Sequence, residues 1–342
     1  MTAGLIPLPL LTTPAHGAET GPSGGTGAAS TAVTAPTSFG KDAATIPEER
    51  PAAEASHEAD QDVLSYWTHE RMAAAKPLDA DAADDPAQER PAAADDGDSS
   101  SSTDPAGTTE PVAPAADGGT ALPARTKGKL FFNGYKADNV YCSASVLNTP
   151  SRSVIITAAH CVYSAQEGWA KDAVFVPDYD RTQADPDPVG VWTARSMRTF
   201  DSWRADQTDY RNDVAYVTLN DGGDANKPIV DVVGGHGLAW GGGYVFHATI
   251  FGYPNNKTNP DGRGTIHSCV RTTEESEGKV RTEGCDFGFG ASGGPWLYRY
   301  DDATGLGYVR SLTSLWRPLG GVNRGPYFTE AVKTMLDATA GD

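Results

Sequence analysis

Short β-rich runs separated by turn-forming residues fill the chain from Gly128 onward, and this texture restricts the possible fold more than any other feature. β-Branched and aromatic residues dominate the runs, whereas Gly, Pro, Asn and Asp stand between them. Many short strands at this spacing predict an all-β barrel or sandwich. The predicted strands are residues 129–132, 153–157, 173–176, 213–219, 244–251 and 307–312.

The C-terminal stretch, residues 327–340, has a different period. Its apolar residues recur at helical spacing, which predicts one amphipathic helix after the strands. The stripe consists of Phe328, Ala331, Val332, Met335 and Leu336.

The front third of the 342-residue chain is far more acidic than the rest. The first 126 residues hold 20 Asp and Glu against 6 Lys and Arg, whereas the remainder holds 25 against 21. The net charge of −18 leaves no basic surface to neutralise phosphates, so nucleic-acid binding is not expected. Residues 19–126 are also rich in Ala, Pro, Gly, Ser and Thr, which predicts a disordered pro-segment or linker.

Two features stand out from this acidic background. Residues 1–18 contain a short apolar run followed by small residues, which predicts the remnant of a signal peptide that lacks its positive start. Val63, Tyr66 and Trp67 lie at helical spacing. We interpret this island either as a pro-segment that docks on the folded domain or as a marginal helix without a partner. No stretch approaches the roughly 18 apolar residues that a membrane span requires.

Four cysteines lie in the second part of the chain, and four cysteines allow three pairings. We favour the pairs Cys142–Cys161 and Cys269–Cys285, because each pair flanks a separate motif. Reduced structural cysteines are the alternative. Neither pair has the short spacing of a zinc knuckle, so no metal site is predicted. Disulfides would indicate an oxidising compartment and hence a secreted protein.

A candidate nucleophile lies in the segment Gly290-Ala-Ser-Gly-Gly-Pro-Trp296. A serine hydroxyl needs a nearby base and an orienting group, and backbone amides must stabilise the developing oxyanion. The glycines around Ser292 allow close approach to a substrate, and the amides of Gly290 and Ser292 are the predicted oxyanion donors. The same segment also fits the G-x-S-x-G elbow of α/β-hydrolases.

Chain order decides between these classes of hydrolase. The elbow class requires a histidine after the serine, but the last histidine in the chain is His267. His160 follows an apolar run and precedes Cys161, and Asp213 begins another buried run. The order His160, Asp213, Ser292 predicts a general base, an orienting carboxylate and a nucleophile.

These three segments resemble the signature segments of trypsin-like serine peptidases. Thr157-Ala-Ala-His-Cys161, Asp213-Val-Ala and Gly290-x-Ser-Gly-Gly-Pro295 are most similar to the secreted bacterial branch that also contains glutamyl endopeptidases. The resemblance implies a serine protease domain over residues 127–342. It would comprise two six-stranded antiparallel β-barrels, about 127–228 and 229–326, and a C-terminal helix at about 327–340.

The resemblance also implies an endopeptidase that acts on protein or peptide substrates through an acyl-enzyme. No cofactor is expected, and we expect a secreted monomer. A catalytically silent binding protein on the same fold is one alternative function, and an esterase that uses the same triad is another.

Two departures from the family pattern affect maturation and specificity. Ala291 replaces the aspartate with which many animal members bind a new N-terminus after cleavage, so maturation by N-terminal insertion is not expected. Asp286 lies six residues before Ser292, where it is either a pocket floor that selects Lys or Arg or a structural carboxylate beside a disulfide. Ser314 is predicted to bond near Asp213 and to border the pocket, and Trp316 to narrow it.

Overall fold

The structure is a computed structural model that describes Met1 and residues 29–35, 52–78, 102–115, 125–134, 137–256 and 265–342. The predicted signal-peptide remnant therefore lies outside the described residues, apart from Met1.

The described residues form twenty strands and six α-helices. The strands are β1 (Ser30–Thr34), β2 (Lys76–Pro77), β3 (Gly107–Thr108), β4 (Lys127–Asn133), β5 (Val140–Leu147), β6 (Val154–Thr157), β7 (Tyr163–Ser164), β8 (Gly168–Trp169), β9 (Lys171–Pro177), β10 (Trp192–Phe200), β11 (Ala215–Leu219), β12 (Gly237–Trp240), β13 (His247–Gly252), β14 (His267–Thr272), β15 (Glu274–Ser276), β16 (Lys279–Thr282), β17 (Pro295–Asp301), β18 (Leu306–Leu312), β19 (Leu315–Arg317) and β20 (Val322–Pro326). The helices are α1 (Ala52–Tyr66), α2 (His69–Ala74), α3 (Ala159–Val162), α4 (Asp201–Ala205), α5 (Ile229–Val233) and α6 (Glu330–Ala338), with 3-10 turns at Tyr210–Asn212 and Thr339–Gly341.

The first half of the protease-like region is a closed antiparallel barrel. Its strands pair in the order β4, β5, β6, β11, β10 and β9, and β9 returns to β4. Strands β4, β5 and β6 are buried along their whole lengths, although β4 carries two lysines among its apolar residues. The barrel confirms the all-β class and the first predicted six-stranded unit.

The second half divides its strands between two sheets rather than one. One sheet has the order β14-β13-β17-β18-β12-β3, in which β12 and β18 run parallel, and the other has the order β15-β16-β20-β19. The chain passes from β14 to β15 at Thr273, whose amide donates to the carbonyl of Phe246 and whose hydroxyl donates to the carbonyl of Tyr244 and accepts from the amide of Phe246. Packed sheets form corners where a strand switches between them in this way.

The C-terminal helix is present and slightly shorter than the predicted 327–340. Thr329 caps α6 by accepting a hydrogen bond from the amide of Ala331. Val332, Met335 and Leu336 are buried against the core of the first barrel, as the apolar stripe predicts. No helix in the described ranges is long and apolar enough to span a membrane.

Parts of the front segment, for which the sequence predicts disorder, form strands and helices in the described residues. β1 pairs with β10, β2 pairs with β5, and β3 pairs with β12. These pairings use main-chain groups, so the segment can dock on exposed strand edges with little apolar surface of its own. Residues 19–28, 36–51, 79–101 and 116–124 of the predicted disordered stretch lie outside the described residues.

Residues 102–115 follow the second half closely through main-chain hydrogen bonds. The amides of Thr103, Ala106, Thr109 and Val112 donate to carbonyls on or beside β12 at 2.8 Å. The glycines at 241–243, which follow β12, make this approach possible, because a β-carbon on Gly242 would lie 2.0 Å from the carbonyl oxygen of Asp104.

A pair of glycine substitutions separates this contact from backbone strain. Gly242 and Gly168 have φ angles of +82° and +83°, but nothing lies within 4 Å of a β-carbon at Gly168. We expect Gly168→Ala to cost about 1 kcal/mol of stability from its left-handed backbone. Gly242→Ala should cost about 1–3 kcal/mol more, because it also displaces residues 102–115. Thermal unfolding measures both, and equal losses would contradict the docking.

Candidate active site

The end of β6 and the start of β11 bring His160 and Asp213 together. These strands are paired, with Thr157 opposite Ala215, so the residues that follow one and precede the other meet at the same edge of the barrel. His160 Nδ1 lies 2.7 Å from Asp213 Oδ2. The His160 amide donates to Asp213 Oδ1 at 2.8 Å, so the carboxylate fixes both the ring and its main chain.

Asp213 is completely buried, and a third donor satisfies it. The hydroxyl of Ser314 donates to Asp213 Oδ2 at 2.5 Å. Since Ser314 lies between β18 and β19, this bond links the second half of the fold to the pair in the first barrel. The structure therefore places Ser314 beside Asp213, as the sequence predicts.

The structure contains both disulfides in the favoured pairing, Cys142–Cys161 and Cys269–Cys285. The first joins β5 to α3 directly beside His160. Among the residues the structure describes, Cys142, His160 and Cys161 are the one group of three side chains of metal-ligating type that lie close together. Its two sulfur atoms form the Cys142–Cys161 disulfide, so the cluster is a covalent cross-link beside His160.

The nucleophile segment is held at several points of its main chain. Ser143, on β5, donates from its amide to the carbonyl of Ser292 and from its hydroxyl to the carbonyl of Gly290, both at 2.8 Å. Gly293 donates to the carbonyl of Thr313 at 2.7 Å. Ser292 is 7% exposed, so it is largely shielded from solvent.

Gly293 shows how closely the segments approach each other. A β-carbon at this position would lie 2.1 Å from the hydroxyl oxygen of Thr157 and 2.9 Å from the amide of Ala158. Thr157 and Ala158 directly precede the His160 helix, and Thr313 directly precedes Ser314. Ser292 is thus brought to the place where His160 and Asp213 meet, and only glycine fits beside it.

Two peptide planes orient the predicted oxyanion amides. The carbonyl of Phe289 accepts a bond from the Asn255 amide, and the carbonyl of Ala291 accepts one from the Gly294 amide, both at 2.8 Å. In a trans peptide the N–H points opposite to the preceding C=O. The N–H groups of Gly290 and Ser292 therefore point away from these anchored carbonyls.

Asp286 and Trp316 contact each other directly. The indole Nε1 of Trp316 donates to Asp286 Oδ1 at 3.1 Å, and the Trp316 ring packs edge-on against Phe289 at 5.2 Å. Asp286 is also fixed through its main chain, because its amide donates to Gly321 and its carbonyl accepts from Asn256. This network favours the structural interpretation of Asp286 over that of a pocket floor.

An aromatic cluster supports the loop that carries Gly290. The Lys129 ammonium lies 3.7 Å from the ring centre of Tyr141, with the rings of Tyr179 and Tyr253 also around it. Burial lowers the pKa of Lys129 to about 7 and raises the pKa of Tyr253 well above its ordinary value. The ring faces attract the lysine cation and partly offset this burial.

Ser143 and Asn255 are site residues that the sequence analysis did not identify. Asn255 acts through a main-chain amide, which leaves no trace in residue type. Ser143 had one signal, its position next to Cys142 in a predicted disulfide.

Comparison with solved structures finds bacterial serine proteases. The match to the protease Anisep from Arthrobacter nicotinovorans covers 68% of this chain and 100% of the Anisep chain, with TM-score 0.56 and 23% identity. The match to the thermostable serine protease AL20 from an extremophilic microorganism covers 64% of this chain and 99% of the AL20 chain, with TM-score 0.54 and 26% identity. A Glu endopeptidase in complex with MPD covers 68% and 98%, with TM-score 0.52 and 15% identity.

No protein-family model and no curated protein matches the chain. The structural likenesses confirm the predicted chymotrypsin-like fold and the resemblance to trypsin-like peptidases. The enzyme class that these neighbours define is the serine-type peptidase. The Glu endopeptidase, at 15% identity, shares the fold of this chain.

The bond between His160 and Asp213 predicts a strong effect of Asp213→Asn. An amide in place of the carboxylate would hold His160 in the wrong tautomer, so we expect kcat to fall by about 10⁴-fold with little change in folding. Steady-state kinetics and the NMR signal of the His160 Nδ1 proton measure the two effects. Retention of both signal and rate in a folded variant would contradict the assigned role of Asp213.

Proposed function

We propose that this protein is a secreted serine endopeptidase that hydrolyses peptide bonds through an acyl-enzyme on Ser292. One observation carries the proposal: the part-buried His160–Asp213 pair lies where Gly293 packs on Thr157 and Ala158. A nucleophile, a base and an orienting carboxylate from three distant parts of the chain thus meet at one site.

The hydrogen bonds of His160 support a proton path through its ring. Asp213 holds the proton of His160 on Nδ1, which leaves the lone pair of Nε2 to accept the proton of Ser292. Ser292 then attacks the scissile carbonyl, and His160 gives the proton to the leaving amine. Water attacks the acyl-enzyme by the same route, with His160 again as the base. Neither step calls for a cofactor.

The developing oxyanion would be stabilised by the amides of Gly290 and Ser292. Their peptide planes are already anchored through Phe289 and Ala291, so little reorganisation is needed when charge develops. Fixed donors of this kind supply a large part of the rate enhancement in acyl transfer.

An extended peptide has an obvious place to bind. β19 is the end strand of its four-stranded sheet among the described residues, and it follows Ser314 directly. A substrate strand can add to such an edge through main-chain hydrogen bonds. This edge favours peptides over small esters as substrates.

Secretion is the proposed location. Each half of the fold contains one disulfide, and disulfides persist in oxidising compartments.

Labelling with a fluorophosphonate probe tests the nucleophile. We expect the probe to modify Ser292 alone, and Ser292→Ala to abolish both labelling and peptide hydrolysis while the fold is retained. His160→Ala should slow labelling strongly, because the base is lost. A folded wild-type protein that resists labelling would instead be the catalytically silent binding protein, and a labelled protein that cleaves only esters would be an esterase.

The contact between Trp316 and Asp286 predicts a pocket closed to long basic side chains. The wild-type protein should cleave peptide libraries poorly after Lys and Arg. Trp316→Gly should raise kcat/KM for Arg substrates by roughly tenfold, because a charge-assisted partner in Asp286 is released. The double variant with Asp286→Asn is the control and should lose this gain. Strong wild-type cleavage after Arg would show that Asp286 is already an open pocket floor.

A further inference from the structure

The front helical segment, residues 58–78, lies against the same aromatic cluster that supports Gly290. Val63, Trp67 and Met72 are each less than 5% exposed and pack with Phe131 and Tyr141. Trp67 also donates from its indole to the main-chain carbonyl of Asp172 at 2.6 Å. The segment is therefore docked by a buried anchor and not only by its strand pairings.

Tyr141 contacts both the front helical segment and the candidate active site. On one side, the amide of Leu78 donates to the carbonyl of Tyr141, and the Trp67 ring contacts Phe131, which contacts Tyr141. On the other side, a β-carbon at Gly290 would lie 2.7 Å from Cε2 of Tyr141, so this ring lies directly against the Gly290 main chain.

A second contact leads from Tyr141 to the oxyanion amide. The Tyr141 hydroxyl donates to the carbonyl of Tyr253 at 3.3 Å. Two residues later, the amide of Asn255 holds the carbonyl of Phe289 and thereby the plane of the Gly290 N–H. Displacement of Tyr141 would thus release the oxyanion donor from two supports.

We infer that the front helical segment is a positioning element for the oxyanion amide of Gly290, with Trp67 as its anchor. The inference rests on the proposed function, since it concerns the efficiency of the same site. It assigns the docked segment a supporting role in catalysis, whereas an inhibitory pro-segment would have to cover the site. Ala291 adds to this argument, because the chain lacks the aspartate that could hold the loop through a new N-terminus.

Two tryptophans provide a matched test in the full chain. Trp67 and Trp192 are both buried, and each indole donates to a main-chain carbonyl, of Asp172 at 2.6 Å and of Lys227 at 2.9 Å. We expect Trp67→Leu to lower kcat per titrated active site roughly tenfold with KM nearly unchanged, as a partial loss of one oxyanion donor. Its affinity for a peptide aldehyde, which forms a tetrahedral adduct, should fall by the same factor. Trp192→Leu should lose stability but keep kcat and aldehyde affinity.

The outcomes separate the two proposals. A wild-type protein that is neither labelled nor active overturns the proposed function itself. An active wild type with unchanged kcat in folded Trp67→Leu overturns the positioning role, as does an equal loss in both variants. Should either leucine variant fail to fold, Trp67→Phe and Trp192→Phe replace them, with a two- to threefold loss of kcat expected only for Trp67→Phe.

Discussion

The buried carboxylate of Asp213 is the interaction on which the arrangement of the site depends. A fully buried charge is costly unless donors surround it, and here three donors come from two different elements. His160 belongs to the first barrel, whereas Ser314 belongs to the second half. The bonds to this one carboxylate therefore connect the two halves of the fold at the site.

Close main-chain approach is the second constraint, and it explains the glycines. Ser292 can lie beside the histidine only because Gly293 leaves room for Thr157 and Ala158. The peptide planes on either side are then fixed by main-chain bonds to Ser143, Asn255 and Thr313. The chemistry depends on side chains, but the geometry depends on backbone that only small residues allow.

Much of this was predictable because the signals are local. Strand texture predicts the all-β class, motif order predicts the roles of His160, Asp213 and Ser292, and the motifs that the cysteines flank predict the two disulfide pairs. The docking of residues 29–35 and 102–115 was not predicted, because main-chain pairing depends little on side-chain type. The glycines at 241–243 were the available signal, since a run without side chains leaves an open edge. Likewise, the bond between Trp316 and Asp286 joins residues 30 positions apart and has no sequence signature.

The docking of the front segment has a consequence for how the chain is made. Thr31 bonds to Asp201, 170 positions later, and Glu110 bonds to Tyr308, 198 positions later. At ordinary rates of synthesis these partners emerge roughly ten to forty seconds after the front segment. Contacts so distant also close slowly. During that interval the front segment has not yet met these partners, and its net negative charge favours solubility. The acidic composition that predicts disorder thus also suits a front segment whose binding partners are synthesised later.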